Sequence, residues 1–414
     1  MNRVLLTGNG AAAWGARLAD VDYIPMFPIT PQTEIIEMLA NWAGRGECAA
    51  RVVTLESEHS MLTAAGAASV TGVRVFTATS SQGLLYAMEM LYNVAGWRAP
   101  LVLVNVSRGL AAPLTLESDH NDIVAARDSG FLQIFCATGQ EVHDSVLLAY
   151  RLAEDARVRL PVIVNLDGFY LSFTREPVEI REAEKVRRFL PPFAARNIEF
   201  RASKPISQAV AVLGGSPYSY FRYEMHLAAQ QALAVYDEVA HDFAALFGRH
   251  YAAVESYRAE DAEFAFFMTG AYATKAMDAV DRLREGGLKI GLVRPRLVRP
   301  YPTEELRRVL AGKRAVAVID QNISMGKGGV FYTELCEALY GLSEAPLLAS
   351  FIGGLGGRDI PAEEFYAIAG MLREAAKLGQ APPPRLLYTD TELREMRKLQ
   401  AIAHVERKEL GNAP

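Results

Sequence analysis

The sequence predicts an α/β fold with a parallel β-sheet covered by helices on both faces, followed by a second, smaller α/β domain. From residue 1 to about 170, short β-branched segments alternate with Ala-rich segments of helical length. This alternation disappears between residues 174 and about 260 and returns between about 260 and 375. The chain has 414 residues, which is long for one domain. We therefore divide it into domains at 1–230 and 260–375 and a tail helix at 376–414.

Buried strands are expected where short apolar runs are bounded by turn residues. In the first domain these runs are RVLL, RVVTL, VRVFTAT, APLVLVNVS and LPVIVNL. The predicted helices are Glu34 to Trp42, SEHSMLTAAGAASV, GLLYAMEMLYNVAG and EVHDSVLLAYRLAEDA. The segment GNGAAAWG follows the first strand but lacks the third glycine of a dinucleotide-binding fingerprint. It is therefore predicted to be a tight turn.

The second domain repeats the pattern after an extended connector. The connector contains the Pro-marked segments REPVEI and FLPPF and a helical run near Met225 to Phe247. The predicted strands are EFAFFMTG, KIGLVRPRLVRP, RAVAVID and LLASFIGG. GKGG follows one of these strands but lacks the Ser or Thr of a phosphate loop, so nucleotide hydrolysis is not expected. GGLGGRD is either an ordinary turn or an anion site that includes Arg358.

Composition excludes several classes of partner and site. Lys plus Arg number 43 against 48 Asp plus Glu, a net charge of -5, so neither nucleic acid nor an anionic membrane is an expected partner. Cys48, Cys136 and Cys336 have no ligand spacing, so no iron–sulfur cluster, other metal or disulfide is expected on this chain. No apolar run approaches the roughly 20 residues of a membrane span. We expect a cytoplasmic protein.

Polar side chains cluster where several predicted strands end. Thr30 lies in PMFPITPQTEI, Glu58 in ESEHS and Arg108 in VNVSRG, while TATSSQG ends another strand in hydroxyls and an amide. The carboxyl ends of parallel strands form the edge at which ligands bind in open α/β sheets. Taken singly, each residue has an ordinary structural explanation; Thr30 or Thr33, for example, would cap the following helix. As a set they predict a binding site.

These motifs, in this order and spacing, resemble those of the α subunits of the 2-oxoacid:acceptor oxidoreductases, of which pyruvate:ferredoxin oxidoreductase is the best-known member. The motifs are FPITPQTEI, ESEHSMLTAAGAAS, VRVFTATSSQGL, the Arg of NVSRG and DHNDIVAARDSG. NLDGFYLS, RPRLVRPYP and GGLGGRD are also similar, so the resemblance covers nearly all of the chain except its tail. It implies a thiamine diphosphate pyrimidine-binding domain followed by a transketolase C-terminal-like domain.

The resemblance implies roles for five residues. Glu58 matches the glutamate that hydrogen-bonds a ring nitrogen of the cofactor and so favours the imino tautomer, whose nitrogen serves as a base. Thr30 matches the threonine that reaches toward the substrate carboxylate or carbonyl, and Arg108 matches the arginine that binds the substrate. Ser81 and Gln82 are expected to shape the ring pocket. Glu56 and His59 flank the acid and are expected at most to orient it.

The resemblance also implies other subunits. The segment Gly-Asp-Gly, with which such enzymes hold the diphosphate and Mg²⁺, occurs nowhere in these 414 residues. A β subunit is therefore expected to carry the diphosphate–Mg²⁺ site, and ferredoxin-like and γ subunits to carry 4Fe–4S clusters. The implied reaction is oxidative decarboxylation of a 2-oxoacid with CoA to acyl-CoA and CO₂. This α subunit alone is expected to be inactive.

Several questions stay open at the level of sequence. Leu116 and Glu117 precede the Asp-His pair where pyruvate-type relatives have aromatic and small residues, and Phe27 replaces a usual Tyr. The substrate is accordingly pyruvate or a larger 2-oxoacid, branched-chain or aryl such as phenylglyoxylate. A non-catalytic scaffold chain is the alternative from another class, although Thr30, Glu58 and Arg108 are all retained. The electron acceptor, ferredoxin or NAD, and the subunit stoichiometry are not determined by the sequence.

The tail carries a final expectation. APPPR forms a stiff spacer, and in the helix beyond it apolar residues recur at near-helical spacing: Leu393, Met396, Leu399, Ile402 and Val405. We predict that this stripe docks on a partner subunit, with packing on its own chain as the alternative.

Overall fold

The structure is a computed structural model that describes residues 2–194, 202–203, 205–208 and 211–411; residues 412–414 of the predicted tail lie outside it. The strands are β1 (Asn2–Thr7), β2 (Tyr23–Met26), β3 (Arg51–Thr54), β4 (Phe76–Thr79), β5 (Val102–Ser107), β6 (Leu132–Phe135), β7 (Val162–Asp167), β8 (Arg175–Ile180), β9 (Val254–Tyr257), β10 (Phe264–Phe267), β11 (Ile290–Pro295), β12 (Leu297–Arg299), β13 (Ala315–Asp320), β14 (Leu347–Ile352) and β15 (Arg385–Leu386). The helices are α1 (Gly8–Leu18), α2 (Thr33–Gly44), α3 (Glu58–Ser69), α4 (Ser81–Tyr86), α5 (Met88–Gly96), α6 (Asn121–Ala125), α7 (Gly139–Ala153), α8 (Ala183–Phe189), α9 (Gly215–Phe247), α10 (Ala273–Glu285), α11 (Thr303–Leu310), α12 (Val330–Leu339), α13 (Ala362–Leu378) and α14 (Asp390–Gly411).

Two largely parallel sheets form the framework, which confirms the predicted α/β class. The first has the order β12-β6-β7-β5-β4, and all of its pairings are parallel except β12 with β6. The second has the order β15-β14-β13-β10-β11-β9, with only β9 antiparallel to its neighbour. The parallel pair β2-β3 adjoins β4 through an isolated bridge between Tyr23 and Val75.

The first predicted strand does not belong to the parallel sheet. β1 pairs antiparallel with β8 in a separate ribbon, with Asn2 opposite Ile180 and Thr7 opposite Arg175. Its side chains alternate between exposed and half-buried, and Leu5 is 65% exposed. A strand in the middle of a covered parallel sheet would instead be buried on both faces. The apolar run RVLL therefore predicted a strand correctly but placed it in the wrong sheet.

The segment GNGAAAWG is helical, so the predicted tight turn is wrong. Thr7 caps α1 through its hydroxyl oxygen, which accepts a hydrogen bond from the Gly10 N–H at 2.9 Å. The small residues let α1 approach α7 closely, since a Cβ on Gly15 would lie 2.8 Å from Val146 Cβ. These glycines thus serve helix packing.

Other element boundaries also differ from the sequence prediction. GLLYAMEMLYNVAG forms two helices, α4 and α5, separated at Ala87. The connector helix α9 begins at Gly215, ten residues before Met225, and continues through residue 230. β6 and the short α6 were not predicted, because three apolar residues interrupted by Gln133 and one helical turn give little periodic signal.

One segment that the sequence analysis assigned to the second domain contributes a strand to each of the two sheets. KIGLVRPRLVRP was predicted as a single strand of the second domain, but β11 lies in the second sheet and β12 is the edge strand of the first. Three apolar clusters fill the layers, and one of them contains residues of both sheets, including Leu103, Phe135, Phe267 and Val318. The two sheets therefore share a hydrophobic core.

A buried ion-pair network fixes the position where the chain crosses between the sheets. Arg294 donates to the Glu141 carboxylate at 2.7 and 2.9 Å, and Arg296 lies 2.9 Å from the same group. Burial opposes ionisation of Glu141, but Arg296 and Arg294 together hold its pKa far below the usual range. Glu255 also contacts both fully buried arginines, so removing the Glu141 carboxylate would leave two buried charges with one partly exposed carboxylate between them.

The tail helix α14 is attached to its own chain only near its start. Leu387 is buried, and Arg358 donates to the Glu392 carboxylate at 2.8 and 2.9 Å. The five apolar residues of the predicted stripe remain 39–57% exposed. Because they recur every third residue while a helix turns every 3.6, the stripe winds around α14 instead of forming one straight face. No described helix is long and apolar enough to cross a membrane.

We predict that α14 contributes to subunit assembly. Deleting residues 390–414 should lower recovery of the partner subunits with the α chain, because the exposed apolar side chains would lose their contacts. The measurement is subunit composition by size-exclusion chromatography and native mass spectrometry. Replacing Glu395 and Lys398 by alanine removes an exposed ion pair of α14 and is the control. Full recovery of the complex by the deleted chain would contradict this expectation.

Candidate active site

The candidate site lies where β4, β5 and β7 end. Ser81 follows β4, Arg108 follows β5 and Asp167 ends β7, and all three residues are buried. These strands are parallel neighbours in the first sheet, so their carboxyl ends share one edge. The sequence predicted this edge as the site from the polar residues that follow each strand.

Glu58 is the first residue of α3 and is only 6% exposed. Ser57 precedes it and caps the helix by accepting a hydrogen bond from the Ser60 N–H at 3.1 Å. Glu58 therefore has no capping role that would account for its carboxyl group. Burial raises the pKa of that carboxyl above its usual value. A carboxyl group with a raised pKa at such an edge is a candidate functional acid.

The Glu58 carboxyl group and the Thr79 hydroxyl both lie against Gly83 at the start of α4. A Cβ on Gly83 would lie 2.5 Å from Glu58 Oε1 and 2.6 Å from Thr79 Oγ1. Only glycine permits the backbone to come so close. The buried Thr79 hydroxyl has no hydrogen-bond partner among the described residues. A buried carboxyl beside an unpaired hydroxyl fits a ligand with polar ring atoms, such as an aminopyrimidine.

Arg108 links two of the other predicted residues. Its Nη1 donates to the backbone oxygen of Thr30 at 2.8 Å, and its Nη2 donates to Gln82 Oε1 at 2.7 Å. Ser81 also donates to Gln82 Oε1, at 2.6 Å. Burial lowers the pKa of the Arg108 guanidinium, and nearby Asp122 opposes that shift. The structure therefore brings Thr30, Ser81, Gln82 and Arg108 into contact, with Glu58 beside Gly83.

The loop that carries Thr30 is fixed by hydrogen bonds to its backbone. Asn9 Nδ2 donates to the Pro31 oxygen at 2.8 Å, and Gln32 Nε2 donates to the Phe27 oxygen at 2.9 Å. The N-cap of α2 is Gln32, which makes no side-chain capping bond, and Thr33 is already inside the helix. The capping alternative is therefore wrong for both threonines. Thr30 itself is exposed at the edge of the sheet.

Asp122 is a residue of this site that the sequence analysis missed. Its Oδ2 accepts from the N–H groups of Ser81 and Arg108 at 3.0 and 3.3 Å and from Asn105 Nδ2 at 3.1 Å. Its Oδ1 accepts from the Ser107 hydroxyl at 2.9 Å. Burial raises the pKa of Asp122, while these donors favour its ionised form. The one available signal was an acid directly before the apolar residues of NDIVAA.

The residues beside Glu58 and the glycine-rich turns of the second domain lie outside this cluster. Glu56 is exposed and accepts from Ser60 at 2.5 Å, while His59 lies 3.5 Å from Glu89. Arg358 is paired with Glu392 and with Glu364, so two carboxylates already neutralise the arginine proposed for an anion site.

The edge of the second sheet is occupied by the first domain. Gly357 N–H donates to the Ser118 oxygen at 2.7 Å, and His120 N–H donates to the Gln321 oxygen at 2.8 Å. His120 Nε2 lies 2.7 Å from Asp167 Oδ1, and the Asp167 charge raises the His120 pKa against the opposing effect of burial. This pair is buried, and residues 118–120 bond to the strand ends around it.

The fold and this site define a thiamine diphosphate-binding α/β chain. The profile described as "Pyruvate flavodoxin/ferredoxin oxidoreductase, thiamine diP-bdg" matches residues 14–241. The profile described as "Pyruvate:ferredoxin oxidoreductase core domain II" matches residues 262–365. The chain belongs to the pyruvate flavodoxin/ferredoxin oxidoreductase family. This confirms the family predicted from the motifs and supports thiamine diphosphate as the cofactor.

Relatives of known name agree with this assignment. The pyruvate synthase subunit PorA of Pyrococcus abyssi is 39% identical over 92% of this chain and 96% of its own length. PorA of Methanothermobacter thermautotrophicus is 42% identical over 86% and 91%. The ketoisovalerate oxidoreductase subunit VorA of Pyrococcus horikoshii is 39% identical over 91% and 95%. All three are named as subunits of oxidoreductases or synthases.

Solved structures show the same fold. The 2-oxoglutarate:ferredoxin oxidoreductase of Magnetococcus marinus matches 90% of this chain with a TM-score of 0.68 and 20% identity. This chain spans 65% of that protein's chain. A split-gene transketolase matches 88% of this chain and 97% of its own, with a TM-score of 0.51 and 12% identity. At these identities the likeness concerns the fold.

We predict that Gly83→Ala displaces the Glu58 carboxyl group, because the added Cβ would overlap Oε1 and the Thr79 hydroxyl. Turnover of the assembled enzyme should fall at least about tenfold, and stability by about 1–3 kcal/mol. Steady-state kinetics and thermal unfolding provide the measurements. Gly96→Ala, at the end of α5, is the matched control, since a Cβ there meets nothing within 4 Å. Equal kinetics for the two variants would contradict the contact.

Proposed function

We propose that this chain is the α subunit of a multi-subunit, thiamine diphosphate-dependent enzyme that oxidatively decarboxylates a 2-oxoacid with CoA. The acyl-CoA and CO₂ are released, and electrons pass to iron–sulfur clusters on partner subunits. The observation that carries the proposal is the buried Glu58 carboxyl group against Gly83, the residue that follows Gln82 in the hydrogen-bonded cluster of Gln82, Arg108 and Thr30. A scaffold chain has no need of an acid with a raised pKa at a ligand-binding edge.

Each residue of the cluster has a distinct role in this proposal. Thiamine diphosphate, if bound here, would supply a nucleophilic thiazolium carbon for chemistry at the keto group of the substrate. Glu58 holds a proton at the pyrimidine ring nitrogen, which its raised pKa favours. Arg108 binds the substrate carboxylate with the N–H groups that remain beside its bonds to Thr30 and Gln82. Arg108 Nε is buried without a partner among the described residues.

Thr30, Ser81 and Gln82 complete the proposed site. Thr30 is exposed beside Arg108, so its hydroxyl is available to the substrate carboxylate or carbonyl. Ser81 has a φ of 49° and donates to the Gly109 oxygen at 3.0 Å as well as to Gln82. Such a strained backbone is typical of functional sites. We infer that Ser81 fixes Gln82 against the pyrimidine ring and keeps Arg108 pointed at the substrate.

A partner chain is proposed to close this edge. Large apolar side chains are exposed on the segments that follow β4, β5 and β7: Tyr86, Leu114, Leu116, Tyr170 and Phe173. An apolar rim around a polar cluster is typical of a protein interface. The proposed β subunit covers this rim and brings the diphosphate–Mg²⁺ site, and ferredoxin-like and γ subunits carry the 4Fe–4S clusters. We place the complex in the cytoplasm, with domains at 1–230 and 260–375.

The substrate is proposed to be pyruvate or a larger 2-oxoacid. In the loop that follows Arg108, Leu114 is 72% exposed and Leu116 is 45% exposed. A backbone hydrogen bond joins the two ends of this loop, from the Gly109 N–H to the Glu117 oxygen at 2.9 Å. Apolar side chains at this position favour an apolar substrate side chain over a second carboxylate. Branched-chain and aryl 2-oxoacids such as phenylglyoxylate are therefore the alternatives. The purified complex, assayed with CoA against pyruvate, 2-oxoisovalerate, phenylglyoxylate and 2-oxoglutarate, tests the proposal.

The sharpest test of the reaction is Glu58→Gln. The amide keeps the size of the side chain but offers no carboxyl proton to the ring nitrogen. In the assembled complex, thiamine diphosphate should still bind, while hydrogen–deuterium exchange at its C2 slows by at least about 100-fold. Turnover of the best 2-oxoacid should fall in parallel. Exchange at the wild-type rate would show that Glu58 has only a structural role.

Stability measurements separate this result from misfolding. Burial raises the pKa of Glu58, so ionisation of this group is less favourable in the folded state than in the unfolded state. The protein therefore loses folding stability as the pH rises through the pKa of Glu58 in the folded state. Glutamine has no such cost. Glu58→Gln should therefore be at least as stable as wild type at pH 8, with the difference vanishing toward about pH 4.

A further inference from the structure

The end of α9 and the segment after it carry three metal-ligating side chains outside the active site. Asp237 and His241 lie one helical turn apart on α9, and His250 follows the end of the helix. One ligand atom from each residue lies within 4.8 Å of the other two. We propose that Asp237, His241 and His250 bind a divalent transition-metal cation of the zinc class.

The turn that ends α9 brings the third ligand back to the helix. Gly248 adopts the left-handed conformation, with a φ of 74°, and its N–H donates to the Ala244 oxygen at 2.8 Å. The chain reverses there, and the His250 ring comes to lie 4.8 Å from the His241 ring, measured between centroids. The pair at positions i and i+4 shares one face of the helix, as in other helical metal sites.

A hydrogen bond at Nδ1 of His241 would leave Nε2 as the ligand atom of this residue. Its Nδ1 lies 2.9 Å from the backbone oxygen of Asp237. A carbonyl oxygen can only accept, so Nδ1 carries the proton and Nε2 keeps its lone pair. Metal-binding histidines commonly donate their second ring N–H to an acceptor of this kind, which fixes the orientation of the ring.

The charges around the cluster favour a cation. Asp242 stands next to the ligand His241 in sequence and adds a negative charge, whereas Glu238 is already paired with Arg157 at 2.7 and 2.9 Å. The nearby Arg249 is directed away from the cluster, with Nη2 3.0 Å from Glu179 and Nη1 3.6 Å from Asp144. Two imidazoles and one carboxylate suit Zn²⁺ better than Ca²⁺ or Mg²⁺, which prefer oxygen ligands. Because all three ligands are exposed, water would complete the coordination.

The position of the site suggests what the cation does. α9 packs against α7 of the first domain, whereas His250 lies four residues before β9, an edge strand of the second sheet. A cation bound here would link the connector helix to the chain entering the second domain. Binding to the folded state alone would stabilise that connection. The role is structural and independent of the oxidoreductase reaction.

Zinc titration of the full-length chain, freed of metal with a chelator, tests the proposal by calorimetry. Wild type should bind one equivalent of Zn²⁺, and His241→Ala and His250→Ala should each weaken binding at least about tenfold. His226→Ala is the matched control, since His226 is also exposed on α9 but is not one of the three ligands. It should bind Zn²⁺ as wild type does.

Thermal unfolding provides a second readout. Zn²⁺ should raise the unfolding temperature of wild type and of His226→Ala but leave that of His250→Ala unchanged. All variants keep Cys48 and Cys336, so zinc bound by thiols would persist in every one of them. Equal zinc affinity in wild type and His250→Ala, or no zinc binding by wild type, would overturn the proposal.

Discussion

The arrangement of the candidate active site depends on one buried carboxylate. Asp122 accepts hydrogen bonds from the backbone after β4, at Ser81, and from the backbone after β5, at Arg108. The side chains of Asn105 and Ser107 donate to the same group. Two strand ends, which would otherwise carry unpaired N–H groups in the interior, are thereby held together. The Arg108 side chain in turn donates to Gln82 and to the Thr30 backbone oxygen, so the network reaches the loop that Asn9 and Gln32 also hold.

The same stretch of chain joins the two domains. Residues 118–122 contact the second sheet at several strand ends: Gly357 N–H donates to the Ser118 oxygen, His120 N–H donates to Gln321, and Ile323 N–H donates to Asn121 Oδ1. Asp320, at the end of β13, is buried there, and burial raises its pKa to about 7. The second domain therefore acts as a support for the first: its strand ends, where ligands bind in many α/β proteins, hold the segment that carries Asp122. The candidate active site lies at the edge of the first sheet.

Much of the fold could be predicted from the sequence, because buried parallel strands read as continuous apolar runs. What failed depended on tertiary context. RVLL forms strand β1 in a separate ribbon, GNGAAAWG continues as a helix because Thr7 caps it, and RPRLVRP divides between two sheets. For the site, polar residues after strands predicted that Thr30, Ser81, Gln82 and Arg108 would meet, and Glu58 lies beside them. Asp122 was missed because its role appears only when two strand ends are brought together around it.

The most direct test of this account is the Michaelis constant of the assembled enzyme carrying Asp122→Asn. The amide group would face N–H donors that now bond to a carboxylate, and each buried donor left unpaired costs about 1–3 kcal/mol. We expect KM for the 2-oxoacid to rise at least about tenfold as Arg108 shifts, with the complex still assembled. Asp128→Asn, an exposed acid of the same motif with a side chain 65% accessible, should leave KM unchanged. A wild-type KM and kcat in the correctly folded Asp122→Asn enzyme would contradict the central role given to this carboxylate.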